Sequence, residues 1–113
     1  FLLVSNISSD QITYRKGGRV RLKIGFQNIF NKATPRSEIR IFISKDTILD
    51  WNDEELALRV LNSIPPEASF ELNETIQLPN DLLPGDYNII VVSSSEGAIL
   101  SSTVELTSIK IAN

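Results

Sequence analysis

The sequence of 113 residues contains no cysteine, no histidine and no methionine. Without cysteine there are no thiol nucleophiles, thiolate metal sites or disulfides, and without histidine the commonest general base and metal ligand is missing. A Ser-His-Asp triad is therefore excluded. The chemistry left to an enzyme consists of carboxylate pairs, lysine, tyrosine and oxygen-ligated metal.

Long apolar runs are also missing. No stretch approaches the ~18 residues of a membrane-spanning helix, and the opening "FLLV" is too short for the apolar core of a signal peptide. We therefore predict no membrane-spanning segment within 1–113. Because the chain begins at Phe1 and has no methionine, we expect it to be a piece of a longer protein.

The length and composition are those of one globular domain. A chain of this size buries a core without disulfide or metal, and 42% of its residues are hydrophobic, so we predict a single domain over 1–113. Eleven basic and 14 acidic residues give a net charge of −3. A negative net charge does not attract polyanions, and a nucleic-acid partner is disfavoured.

Several segments alternate apolar and polar residues with a period of two, which is typical of half-buried β-strands. The clearest run is 18–28, and 37–44 and 69–79 repeat the pattern, with Phe70 in the inward phase of the last. The segment 86–93 is apolar on both faces and is predicted to be the most buried strand. The side chains predicted to lie between two sheets are Val20, Leu22, Ile24, Ile41, Ile43, Leu72, Ile76, Tyr87, Ile89 and Val91.

Two strands depart from strict alternation. Glu74 falls in the inward phase of 69–79, which predicts an edge position or a bulge there. In the final strand the apolar phase changes between Leu106 and Ile109, which predicts a bulge near Thr107 and Ser108.

The segment 53–61 allows two interpretations. Asn52 is suited to cap a helix with Asp53, Glu54 and Glu55 in its first turn. The apolar residues further along also fit an alternating strand: Leu58, Val60 and Ile64. Short polar turns between the other runs favour an antiparallel sandwich of about seven strands, which needs a strand here.

The most distinctive motif is "IQLPNDLLPGDYNIIV", from Ile76 to Val91. Proline ends a strand, a Pro-Gly pair turns the chain, and Tyr87 re-enters the core in a position that resembles a tyrosine corner. Other motifs stand around it: Gly17-Gly18, Asn28, "IFISKD" at 41–46, "LDWNDEEL" at 49–56 and "EGAIL" at 96–100. This order resembles the CARDB family, the cell-adhesion-related domain found in bacteria.

The resemblance implies an immunoglobulin-like or fibronectin-III-like antiparallel β-sandwich. It also implies a non-catalytic adhesion or spacer module of an exported bacterial or archaeal multidomain protein, located outside the cell or at its surface. The implied partners are neighbouring domains of the parent chain and a cell-surface protein or glycan. The alternative is a carbohydrate-binding accessory module attached to a secreted enzyme, and an enzyme domain is the third hypothesis.

One departure from the family concerns a polar site. The family pattern has acidic residues and paired asparagines before the last strand, whereas this chain reads "SSTVELTS" and keeps only Glu105.

The acidic stretch "SKDTILDWNDEEL", 44–56, is the candidate metal site. Asp50, Asn52 and Glu54 follow the first oxygen positions of an EF-hand loop, but Glu55 replaces the required glycine and Leu61 replaces the bidentate glutamate. We therefore predict a solvated turn without metal or cofactor. Weak calcium binding by a non-standard loop is the alternative, with these ligands: Asp46, Asp50, Asn52 and Asp53.

Two aromatic residues are candidate contacts for a ligand. Trp51 has the type of side chain that stacks on a sugar ring, but packing over a sheet edge is the preferred interpretation. Phe30 is the second candidate, and we expect it to close one end of the core.

Charged residues provide two further candidates. Glu54 with Glu55, and Glu71 with Glu74, resemble acid and base pairs of glycosidases, but close neighbours on a strand diverge and a small sandwich has no deep cleft, so we predict no catalytic residues. The outward row on the first long strand is suited to an acidic partner or a neighbouring domain: Arg19, Arg21 and Lys23. A solvated face is the preferred interpretation. An odd number of strands also predicts that Phe1 and Asn113 emerge at opposite ends, roughly 30 Å apart.

Overall fold

The computed structural model describes residues 2–29, 31–34, 36–46, 53–95 and 102–112. The regular secondary structure in these ranges consists of β-strands alone, which confirms the predicted all-β class. The strands are β1 (Leu2–Ser9), β2 (Thr13–Arg15), β3 (Arg19–Asn28), β4 (Ser37–Ser44), β5 (Glu54–Leu61), β6 (Ser69–Gln77), β7 (Gly85–Ser95) and β8 (Ser102–Ala112).

The strands form two sheets packed face to face. One sheet has the order β1-β3-β6, and the other has the order β2-β8-β7-β4-β5. All neighbours are antiparallel except β2 and β8, which run parallel. The predicted antiparallel sandwich is confirmed.

The first pass of the chain contributes a strand to each sheet. β1 pairs with β3 in the smaller sheet, and after a short kink β2 pairs with β8 in the larger one. The backbone N–H of Asp10 donates to Arg21 O at 3.0 Å before the kink, and Lys110 N–H donates to Ile12 O at 2.8 Å after it. The eight strands therefore make seven passes, which reconciles the structure with the predicted number.

The core lies between the two sheets and contains nine of the ten predicted residues. Leu72 is the exception, since it is only partly buried against the core. Phe70 lies in the predicted inward phase, since it pairs with Phe26 and stacks on it, but it is 42% exposed because β6 lies at the edge of its sheet. Further buried side chains complete the core: Val4, Tyr14, Phe26, Ile39, Leu61, Ile64, Leu78, Ile109 and Ile111.

β7 is buried on both faces, as its sequence predicts. Ile89 and Val91 lie in the core, whereas Ile90 is fully buried on the outer face of the sheet. The cause is its position between β8 and β4, because a strand flanked on both sides is covered by neighbouring side chains.

The predicted bulge near Thr107 and Ser108 is wrong. β8 pairs with β7 without a register shift from Ser102 to Ile111, through both Thr107 and Ser108. Glu74 lies on an edge strand, as predicted, and its pairing with β3 is also regular. The register shifts that do occur lie in β1 and between β4 and β5.

The segment 54–61 is a strand and not a helix. Pairing with β4 overrides the helical preference of its charged first turn, since tertiary context outweighs local propensity. Leu58 and Val60, however, are 42% and 44% exposed on the outer face, while Leu61 is buried. The alternation is that of a strand, but its apolar phase points outward.

The chain enters and leaves at opposite ends of the sandwich. Leu2 pairs with Asn28 at the end where β3 finishes, which we call the entry end. Ala112 pairs with Arg15, where β2 leads into the turn before β3, which we call the exit end. Phe1 and Asn113 lie outside the described residues, but their neighbours have the predicted arrangement. The molecule is 48 Å in its longest dimension.

Candidate functional site

Part of the acidic stretch lies outside the described residues: Asp50, Trp51 and Asn52, as does the second aromatic candidate, Phe30. Asp46 and Asp53 line an exit-end cleft of ≈440 Å³ together with Glu54 and Asp81. The Ser44 hydroxyl donates to Asp46 Oδ1 at 3.1 Å and accepts from Asp46 N–H at 3.2 Å. Such local hydrogen bonds are typical of a turn.

The described part of the chain holds no group of three or more acidic side chains arranged to bind a metal ion. Asp46 and Asp53 each have interactions within the protein. The described residues of this cleft therefore do not fit the ligand set of a calcium ion, which takes six to eight oxygens.

The four candidate glutamates do not converge. Glu55 Oε1 pairs with Arg40 Nη1 at 2.8 Å on the outer face of the larger sheet. This hydrogen bond raises the pKa of Arg40, and so does a second carboxylate, that of Glu38. Glu74 Oε1 pairs instead with Arg59 Nε at 3.1 Å, between the two sheets. The geometry does not form the facing carboxylate pair that glycoside hydrolysis needs.

A buried polar cluster organises the entry end. Asn28 is fully buried, and its side-chain amide donates to Lys32 O, Ile64 O and Pro65 O at 2.7, 3.2 and 3.1 Å. Thr34 exchanges two bonds of 2.9 Å with Ile64, through its N–H and its hydroxyl. Together they join the β3–β4 loop to the β5–β6 loop, a link that the sequence did not reveal because the partners are far apart in the chain.

A tyrosine corner organises the exit end. The Tyr87 hydroxyl donates to Leu83 O at 2.7 Å, which confirms the arrangement predicted from the "LPGDY" motif. The side-chain amide of Asn88 donates through Nδ2 to Asp46 O at 2.8 Å, and its Oδ1 accepts from the Ser108 hydroxyl. The described residues Asp46 and Leu83 of the exit-end loops are thus bonded to β7.

The kink between β1 and β2 is held by Asp10 and Tyr14. The Tyr14 hydroxyl donates to Asp10 Oδ1 at 2.6 Å, and Arg21 N–H donates to the same oxygen at 3.0 Å. These bonds lower the pKa of Asp10, with the Tyr14 bond the larger cause. Burial and the bond to Asp10 raise the pKa of Tyr14.

The predicted basic row lies where the alternation places it. Arg19, Arg21 and Lys23 occupy successive outward positions of β3, the central strand of the smaller sheet, and all three are exposed. We call this surface the basic face. The uncharged polar residues that flank the row on β1 and β6 are Ser8, Asn73, Thr75 and Gln77. A shallow cleft of ≈460 Å³ runs over Ser8, Arg21, Lys23, Asn73 and Thr75, and the acidic residues Asp10 and Glu74 also line it.

Apolar residues are exposed elsewhere on the molecule. Leu58 and Val60 lie on the outer face of β5. Val60 also borders an entry-end groove of ≈360 Å³ that contains Pro65 and Phe70. The Phe70 ring is stacked on Phe26, with ring centroids 6.5 Å apart. One face of an aromatic ring is therefore presented at the open side of the sandwich.

Within the described ranges there is no helix of the length and apolarity required to cross a membrane.

These features define an immunoglobulin-like sandwich with hydrogen-bonded loop residues at both ends and a polar, cationic face on the smaller sheet. No protein-family model and no curated protein matches the sequence. Solved structures do match. The CARDB domain of the PF1109 protein from Pyrococcus furiosus aligns over 98% of this chain and 92% of its own, with a TM-score of 0.65 and 12% identity. The predicted resemblance to CARDB domains is confirmed at the level of the fold.

The same fold occurs inside larger proteins. A β-glucosidase from Erythrobacter marinus aligns over 99% of this chain but only 15% of its own, with a TM-score of 0.71 and 12% identity. The sporulation control protein Spo0M from Bacillus subtilis aligns over 99% of this chain and 49% of its own, with a TM-score of 0.66 and 12% identity. The chain thus spans about one seventh of the glucosidase and half of Spo0M.

The Pyrococcus domain was solved in complex with di-metal ions. In the present chain, the one acidic residue kept from the family pattern is Glu105, which lies in β8 and whose side chain is outside the described part.

Proposed function

We propose that this chain is a non-catalytic adhesion or spacer module of an exported bacterial or archaeal multidomain protein. The observation that carries the proposal is the position of the two ends. Leu2 lies at the entry end and Ala112 at the exit end, so neighbours joined to this module are held apart along its long axis.

Hydrogen bonds at both ends support this role. Asn28 and Thr34 join the described parts of the β3–β4 and β5–β6 loops, and the Tyr87 hydroxyl bonds to Leu83 O in the exit-end turn. Loops held by buried polar groups keep one geometry, because breaking such bonds leaves buried groups unsatisfied. A spacer needs that constancy.

A tandem protein of two copies tests the spacer geometry. We expect its maximum dimension in X-ray scattering to exceed that of the single copy by about the long axis of one module, 48 Å. A protein in which Gly-Ser linkers of increasing length separate the copies serves as the control for flexibility. Two copies that fold back side by side, with no increase in length, would exclude the spacer role.

A second candidate is a carbohydrate-binding accessory module of a secreted enzyme. The observation in its favour is that the fold forms part of a β-glucosidase. Phe70, stacked on Phe26 and exposed beside Val60, is the described aromatic surface available to a neutral sugar. Retention of the protein on insoluble cellulose or chitin, lost in Phe70→Ala, would support this candidate.

A further inference from the structure

The basic face concentrates positive charge on a molecule whose net charge is −3. Arg19, Arg21 and Lys23 alternate along β3, so the charges repeat every two residues, or about 6.6 Å, over ~13 Å of strand. The ion pairs among the described residues join Arg40 to Glu38 and Glu55, and Arg59 to Glu74, and none involves this row. The row is thus available to an external anion.

Two acidic residues, Asp10 and Glu74, line the cleft on the basic face, and the Asp10 carboxylate interacts electrostatically with Arg21. Asp10 lies beside Arg21, but one oxygen of its carboxylate already accepts bonds from Tyr14 and from the Arg21 backbone. Glu71 pairs with Gly25, one outward position beyond Lys23, and no ion pair joins it to Lys23. The other described acidic residues lie largely elsewhere, and Glu55 and Asp46 belong to the larger sheet and the exit end. Charges more than ~8 Å away are screened at physiological salt, so the local balance decides binding.

The neighbours of the row determine what kind of anion fits. Ser8 lies beside Lys23 on one side, and Asn73 and Thr75 lie beside Lys23 and Arg21 on the other. Hydroxyl and amide groups both donate and accept hydrogen bonds, so they match a ligand rich in hydroxyl groups. The ≈460 Å³ cleft over these residues gives such a ligand a shallow site, and the Glu74 carboxylate on its lining is already paired with Arg59.

Other polyanions match this face less well. The described outward positions of β1, β3 and β6 carry no aromatic residue on which a nucleic-acid base would stack. An acidic peptide would lack the buried apolar anchors that supply most of the energy of peptide recognition. Alternating cations with flanking hydroxyl and amide groups correspond instead to a chain of sugars that bear carboxylates.

We propose that the basic face binds an acidic polysaccharide that lies along β3, with uronic acid carboxylates paired to Arg19, Arg21 and Lys23. The hydroxyl groups of the same sugars bond to Ser8, Asn73 and Thr75. This proposal deepens the adhesion role and rests on it, since it names the class of surface glycan to which the module adheres.

The test uses affinity electrophoresis in gels containing polygalacturonate, with neutral dextran as the comparison. We expect polygalacturonate to retard the protein and dextran to leave its mobility unchanged. The triple variant Arg19→Gln, Arg21→Gln, Lys23→Gln should bind about tenfold more weakly, because each surface contact contributes modestly. The matched control, Lys32→Gln, Lys45→Gln, Lys110→Gln, makes the same change in net charge at exposed positions off the basic face and should bind like the wild type.

Raising the salt concentration should weaken binding, because the contacts are ionic. Equal losses in the two triple variants, or no retardation of the wild type, would overturn the proposal. Equal retardation by polyglutamate or oligothymidylate would also overturn it, since the face would then recognise charge alone. If the triple variant melts early, single Arg19→Gln and Lys23→Gln variants serve in its place. The dimensions of the tandem protein do not depend on this face, so failure here leaves the spacer role intact.

Discussion

Arg59 of β5 and Glu74 of β6 form an ion pair of 3.1 Å that joins the two sheets. Both residues belong to edge strands, so the pair bridges the open side of the sandwich. Glu74 takes an inward position beside Leu22 of β3, where an unpaired carboxylate would be costly. The charge that interrupts the apolar phase of β6 therefore has a partner in the opposite sheet.

This ion pair should contribute more stability than a fully solvated one. The Glu74 side chain is 17% exposed, against 40% and 47% for the two side chains of the Arg40–Glu38 pair. In double-mutant cycles with alanine, followed by urea unfolding, we expect a coupling of about 1 kcal/mol for Arg59–Glu74 and about 0.3 kcal/mol for Arg40–Glu38. Equal couplings would show that the bridge between the sheets has no special weight.

Asn28→Ala should destabilise the protein by about 2–3 kcal/mol, because three loop carbonyls lose their donor. Asn62→Ala, at an exposed position of the β5–β6 loop, is the control and should change the free energy of unfolding by less than about 0.5 kcal/mol. Chemical unfolding of both variants measures the difference. If the two substitutions cost the same, the entry-end loops do not depend on Asn28.

Ile89→Ala should cost about 2–5 kcal/mol, since Ile89 is fully buried between the sheets and its truncation leaves a cavity. Leu58→Ala removes a side chain of similar size from the exposed face of β5, and we expect it to lower the free energy of unfolding by less than about 1 kcal/mol. Thermal or urea unfolding distinguishes the two. A large cost at Leu58 would mean that its side chain is covered in solution.

The bonds to Asp10 should make stability depend on pH in the acid range. The folded-state pKa of Asp10 is lowered by the Tyr14 and Arg21 bonds. Its contribution is therefore fully present above the unfolded-state pKa, about 3.9, and is lost as the pH falls through the lower folded-state pKa. Asp10→Asn should be less stable than the wild type near neutral pH.

The difference between Asp10→Asn and the wild type should shrink at acid pH, in urea unfolding repeated across the range. Tyr14→Phe removes the largest cause of the lowered pKa and should reduce the same acid dependence. A constant difference at every pH would contradict this account of Asp10.

Millimolar calcium should leave the melting temperature unchanged. A site of micromolar affinity would add roughly 4 kcal/mol at a thousandfold excess, a large and measurable rise. Differential scanning fluorimetry with and without calcium makes the comparison. A rise in the wild type that disappears in Asp50→Ala and Asp53→Ala would identify the acidic stretch as a metal site.

Most of the fold was predictable because alternation reports which face of a strand is buried. The phase of β3 and the position of Tyr87 are correct, since both depend on local pattern and turn chemistry. The bulge predicted at Thr107 and Ser108 is wrong because a change of apolar phase along a strand does not require a register shift, and β8 pairs regularly with β7 through both residues.

The candidate surfaces were also predictable only where they depend on local spacing along one strand. The basic row on β3 follows from spacing alone, so the sequence predicted it correctly. The bonds of Asn28 to Ile64 and of Glu74 to Arg59 join distant parts of the chain, and no local pattern signals them. The outward phase of Leu58 and Val60 was missed for a related reason, since periodicity defines two faces of a strand without saying which one packs inward.

The division of the first pass between two sheets has a mechanical consequence. β2 and β8 run parallel. β2 belongs to the first pass, which begins at the entry end, and β8 is the last pass, which finishes at the exit end. When those ends are pulled apart, the pairs Thr13–Lys110, Tyr14–Ile111 and Arg15–Ala112 are loaded in shear, along the strands and across their hydrogen bonds. Bonds loaded in this way break together and do not unzip one by one. A module with this connection keeps its length under tension until these three pairs separate together.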